Sequence, residues 1–157
     1  MVTAASPNAE IHTVDIRKEL VIAASLEITF ETVLEEIGPG SQLPDGTPFP
    51  MKIEPWPGGR WYRDLGEAGG YQSGHLWGHV QVIKAPRLLE LVGPMPMSYP
   101  AMNHLQYRLT PEGEGTRLAL VHRAIGLLSK EHREGMPDGW LHGIQRVQEV
   151  AERKARR

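Results

Sequence analysis

The chain has 157 residues, long enough for one domain with a substantial core, and its 40% hydrophobic and 23% charged content is ordinary for a globular fold. A formal net charge of −2 supplies no positive field for phosphate backbones or anionic lipid, and the lack of cysteine excludes disulfides, thiolate catalysis and thiolate metal sites. The first ten residues have neither the basic nor the apolar region of a signal peptide, and no apolar run reaches a membrane span, so the expectation is a cytoplasmic protein.

Residues 1–9 are small and polar and read as a flexible tail, leaving residues 10–157 as a single domain. From Ile11 to Ile22 a loose alternation (Val14, Ile16, Leu20, Ile22) predicts a strand. Ser25 stands where an N-cap belongs, with Glu27 in the first turn. Leu26, Phe30, Val33, Leu34 and Ile37 then fall on one helical face, and Gly38-Pro39-Gly40 ends it. Residues 38–50 carry four prolines and three glycines and are loop. The stretch 51–64 predicts two short strands joined at residues 55–59. Longer strands follow at about 73–84 and 88–92, and then a loop, GPMPMSYPAM, whose methionines offer an adaptable rim to a cavity. Two final strands, about 102–110 and 116–124, flank a PEGEG turn. Gly135-Met136-Pro137 places the start of the last helix near Pro137, with Ser129 to Glu134 forming a separate turn or a kinked lead-in, Trp140, Ile144, Val147 and Ala151 on one face, and cations at its end.

The register of the last hairpin follows from its pattern. Leu105, Tyr107 and Leu109 share one parity, and Leu118, Leu120 and His122 share another. Both rows face the core only if opposed residue numbers have an odd sum, because a one-residue slip would turn each apolar row outward. Tyr107 and His122 are therefore expected on one buried face.

The order strand, helix, strands, helix predicts an α+β fold, an antiparallel sheet wrapped on the C-terminal helix with a cavity between them. Trp61, Leu105, Tyr107, Leu120, His122 and Ile144 are expected to line it, with apolar residues supplying affinity and Tyr107 and His122 orienting a ligand. Trp140 is expected to anchor the helix without touching a ligand, and Trp77, on the parity of His75 and His79, to lie on the outer face. His75 and His79 sit roughly 13 Å apart on a strand, whereas two ligands of one zinc lie about 3–3.5 Å apart, so no metal site is expected. No nucleophile elbow, phosphate loop, HExxH or dinucleotide fingerprint is present, and no residue is assigned to catalysis.

The string PGG at 57–59 before an aromatic strand, Gly78-x-Val80-x-x-Ile83 followed by Pro86 and Leu89, the strand GTRLALVH at 115–122, and Gly139-Trp140 resemble one known family. It is the heat-shock protein 90 ATPase activator homologue-like branch of the START/Bet v 1-like (SRPBCC) superfamily. The resemblance spans roughly residues 11–153; Val80 and Val82 depart from the branch's usual more polar or aromatic pair. It implies a helix-grip fold, a curved antiparallel sheet around a long C-terminal helix. It also implies a binding protein, carrier or sensor, for a small apolar or amphipathic molecule; no cofactor is expected, and from charge and hydropathy no nucleic acid or membrane partner. The alternatives within the superfamily are a co-chaperone-type module with a protein partner and a filled core, and a cyclase- or hydrolase-like enzyme using His122 and Tyr107.

Overall fold

The computed structural model describes residues 10–157; the tail predicted for residues 1–9 lies outside the described residues. Seven antiparallel strands form one curved sheet: β1 (His12–Ile22), β2 (Lys52–Ile53), β3 (Arg60–Ala68), β4 (Tyr71–Lys84), β5 (Leu88–Gly93), β6 (Ala101–Glu112) and β7 (Gly115–Gly126). Their spatial order is β1-β7-β6-β5-β4-β3-β2, so the chain meanders from β2 to β7 and β1 closes the far edge. Helices α1 (Leu26–Glu36) and α2 (Lys130–Ala155) complete a helix-grip α+β domain.

Helix α1 begins where the Ser25 Oγ accepts the Ile28 N–H at 3.1 Å. It ends at Glu36 with Ile37 as its C-cap, and the next residue is Gly38, where a Cβ would stand 2.6 Å from the Leu34 carbonyl oxygen. Its stripe of Phe30, Val33 and Ile37 is buried in the core. The Trp61 indole N–H donates to the Ile37 carbonyl at 2.8 Å, so a carbonyl at the helix end finds its donor on β3. Lys154 then ties α2 to Glu35 of α1 at 2.9 Å, and Arg146 reaches Glu36 at 3.2 Å.

The β6–β7 register has the odd sum its pattern demands: Leu105 opposes His122 and Tyr107 opposes Leu120. All four residues are buried, so the hairpin carries one continuous row of side chains into the interior.

Two expectations are corrected. Helix α2 starts at Lys130 and runs through Pro137, seven residues earlier than the proline suggests. Its first turn is held from outside. Ser129 Oγ accepts the His132 N–H at 3.2 Å, Tyr99 Oη accepts the Ser129 N–H at 3.1 Å and bonds His132 Nδ1 at 2.6 Å, and Leu128 is fully buried. These tertiary anchors outweigh the roughly 3 kcal/mol that an interior proline costs a helix.

The second correction concerns β4. Trp61 opposes Gly78 while Tyr62 opposes Leu76, so Trp77 is an extra residue in a bulge, and a second irregularity lies between Val80 and Val82. The bulge breaks the parity and turns Trp77 inward, edge-on to Trp61 with ring centres 5.2 Å apart. Backbones crowd at this point. A Cβ on Gly93 would stand 2.4 Å from the Trp77 carbonyl oxygen, so the neighbouring strand needs glycine there.

Candidate functional site

A half-enclosed cavity of about 370 Å³ lies between the sheet, α2 and the loop after α1. Met51, Trp61 and Tyr107 form its buried depth, while Gln42 and Leu43 are exposed at its mouth. Trp77 and Trp140 complete an aromatic wall with Phe49. The wall is mainly apolar, and Glu36 is its one charged side chain.

The helix side of the cavity is open because two wall residues there are glycines. Gly139 and Gly143 are four apart on α2, and a Cβ added to either would meet no atom within 4 Å. Glycine inside a helix costs about 1 kcal/mol relative to alanine, and here no steric contact requires it. Removing two side chains from the face that crosses the sheet leaves space that Leu or Met would fill. The sequence carried this signal in Gly135, Gly139 and Gly143, a four-residue spacing that becomes one stripe only once α2 is seen to begin before Pro137.

Two of the six residues expected to share the cavity, Trp61 and Tyr107, lie on its wall. Leu105, Leu120, His122 and Ile144 do not. They fill the deeper part of the sheet–helix space, each exposed by 1% or less. Trp140, expected to be an anchor only, is both anchor and wall. Two methionines expected to form a soft rim, Met95 and Met97, are core residues, and Met102 points outward. Pro96 alone of that loop reaches the cavity.

His122 is tied into a different network from the one expected. The Trp140 indole N–H donates to its Nδ1 at 2.8 Å, which fixes the proton on Nε2, and Nε2 donates to Asn103 Oδ1 at 2.7 Å. Asn103 Nδ2 in turn donates to the Gly93 and Pro94 carbonyls, each at 3.2 Å. The chain of bonds joins α2 to β7, β6 and the loop after β5. Both ring nitrogens are occupied, and burial, with His104 nearby, lowers the His122 pKa to about 4. The ring is thus a neutral structural link, and the acid–base pairing of His122 with Tyr107 is not formed.

Tyr107 brings a hydroxyl to the deep wall, and the Trp77 indole N–H, buried and without a partner among the described residues, is a second donor there. Burial pushes the Tyr107 phenol well above the usual range, so it stays protonated. Among the described residues its hydroxyl makes no hydrogen bond, although the side chain is only 3% exposed. At the rim, burial raises the Glu36 pKa against the opposing pull of Arg146. Among the described residues no group of three or more His, Asp and Glu side chains is placed to hold a metal.

A larger hollow of about 420 Å³ borders Val14, Met102, Arg123 and Ile125 at the β1–β7–β6 end of the sheet. It is an open groove in which a small molecule would keep much of its surface in water. The sheet–helix cavity, which is more enclosed, is therefore the candidate site.

The curved antiparallel sheet, the long C-terminal helix and the cavity between them define a helix-grip α+β domain. SA2116 from Staphylococcus aureus, a protein of unknown function, superposes with a TM-score of 0.69 at 14% identity, covering 96% of this chain and 100% of that one. CV1439 from Chromobacterium violaceum gives 0.67 at 19% identity over 88% of this chain and 96% of that one. The di-domain ARO/CYC StfQ from the steffimycin biosynthetic pathway gives 0.65 at 12% identity over 92% of this chain, which spans 52% of StfQ. Identities this low speak for the fold alone. No protein-family model and no curated protein matches the sequence. Among the described residues no helix is long and apolar enough to cross a membrane.

Proposed function

We propose that the chain binds a small apolar or amphipathic molecule in the sheet–helix cavity, as a carrier or sensor. The observation that carries this reading is the cavity itself, about 370 Å³ behind an aromatic wall and left open by Gly139 and Gly143. That volume lies within the range of small-molecule sites, and a wall of this kind supplies affinity through buried apolar area. The StfQ likeness supports the reading at the level of fold, and the four motifs support placing the chain in the heat-shock protein 90 ATPase activator homologue-like branch. We further propose one domain from residue 10 onward, working in the cytoplasm.

A second reading, a co-chaperone-type interaction module, draws on the outer face of the sheet. Met102 and Ile125 are cross-strand partners there and are more than half exposed beside the open groove. The cavity argues against the filled core this reading expects.

Native mass spectrometry of the protein from its source cells tests the first reading. A bound small molecule that is lost in Gly143→Leu supports it. Wild-type protein that carries only its own mass, before and after incubation with a cell extract, contradicts it.

A further inference from the structure

We infer that the ligand of this cavity carries no negative charge and has an oxygen acceptor, such as a carbonyl, held by the Tyr107 hydroxyl. The inference rests on the cavity reading above and adds to it what chemistry the pocket selects.

The first observation is the state of Tyr107. A buried polar group without a partner costs free energy, and native structures pair the large majority of them. Tyr107 stands on β6 opposite Leu120, with Leu105 and Leu109 as its neighbours on the same face, so its sheet surroundings offer no acceptor. Its ring lines the cavity, and no hydrogen bond joins its hydroxyl to another described residue; the Trp77 indole N–H on the same wall is buried and unpartnered as well. Both donors are thus available to whatever occupies the cavity. Because the phenol stays protonated, it presents an O–H at every physiological pH.

The second observation is what the wall lacks. No Lys, Arg or His side chain is among the lining residues. Arg146, the nearest cation to the rim, is bonded to Glu36 at 3.2 Å. A carboxylate or phosphate pushed into this space would be desolvated with no counter-charge, next to the carboxyl of Glu36. A cation would find three indole rings and the Glu36 carboxyl, so the wall does not turn positive charge away. A neutral molecule avoids the penalty that an anion meets. An apolar body with one acceptor oxygen uses both the aromatic wall and its unpartnered donors, the Tyr107 hydroxyl and the Trp77 indole N–H.

The third observation is that the competing polar group in the depth is out of play. The His122 imidazole has both nitrogens occupied by Trp140 and Asn103. Orientation of a polar ligand therefore falls to Tyr107, the more buried of the two, and to the Trp77 indole N–H.

Three matched tricyclic probes test this: fluorene, 9-fluorenone and fluorene-9-carboxylate. Each is titrated into wild-type and Tyr107→Phe protein, with quenching of the wall tryptophans read by fluorescence and checked by calorimetry. The expected result is a 9-fluorenone affinity about 3- to 10-fold above that of fluorene, the net effect of one neutral hydrogen bond. The carboxylate should bind more weakly than either. Tyr107→Phe should bring the ketone down to the level of the hydrocarbon, and a thermal midpoint no lower than wild type would show that the fold is intact. Equal binding of ketone and hydrocarbon to the wild type overturns the inference while leaving the cavity reading in place. So does a ketone preference that survives Tyr107→Phe, or a carboxylate that binds best. If none of the three quenches the wild type, the cavity reading fails and takes this inference with it.

Discussion

Acidification should weaken the fold through one residue, His122. The imidazole is fully buried, and its Nδ1 accepts the Trp140 indole proton. Protonating Nδ1 would set two N–H donors against each other inside the core. The folded-state pKa is accordingly lowered from 6.5 to about 4. Above pH 6.5 the ring is neutral in both states and adds no pH dependence. Below 6.5 the unfolded chain takes up a proton that the folded one refuses until about pH 4, so stability falls across that window and levels off beneath it. At about 1.4 kcal/mol per pH unit, the loss from this group comes to about 3 kcal/mol. For a chain of this length that is on the order of 10 °C in thermal midpoint. The assay is urea unfolding at several pH values for wild type and His122→Gln. A glutamine can still accept from Trp140 and donate to Asn103, but it does not titrate. The variant should be less stable at pH 7 and should lose less stability than wild type between pH 6.5 and 4. Parallel losses in the two proteins would refute the reasoning, as would an NMR titration that gives His122 an ordinary pKa.

Two further perturbations probe α2. Gly143→Ala should raise stability by about 1 kcal/mol, because the new methyl meets no atom within 4 Å and alanine is the better helix former; a lower thermal midpoint would mean that space is not free. Pro137→Ala should stabilise by about 2 kcal/mol. It restores the N–H that the Arg133 carbonyl lacks, against a smaller loss of unfolded-chain rigidity, and a destabilised variant in chemical denaturation would show that the proline packs usefully.

The sheet was largely legible because its signals are local and periodic. Alternation along β6 and β7 admits only registers that bury Leu105, Tyr107, Leu120 and His122 together, and the fold has one of them. Helix α1 carried its own cap, stripe and stop. What failed to show in the sequence depends on contacts between distant residues. A bulge inverted Trp77, and neither Gly78 nor Gly93 says from sequence that the two backbones come so close. Pro137 marks a helix start by local preference, and α2 extends ahead of it because Tyr99 and Leu128, brought in by the fold, add to the local Ser129 cap. The partners of His122 lie 18 residues away on α2 and 19 away on β6, beyond any local pattern. Parity decided which side chains face inward. It held no information on which of them pack solidly and which border a void, because the void is set by two glycines on the opposing helix.

The most direct test of the cavity is a fluorescence titration of wild-type protein and Gly143→Leu with 6-propionyl-2-dimethylaminonaphthalene, a neutral dye bearing a ketone. Wild type should bind it once per chain with a blue-shifted, enhanced emission, and Gly143→Leu, its cavity filled, should bind at least about 10-fold more weakly while remaining as stable as wild type. Equal binding by the two proteins would place the dye elsewhere and contradict the account.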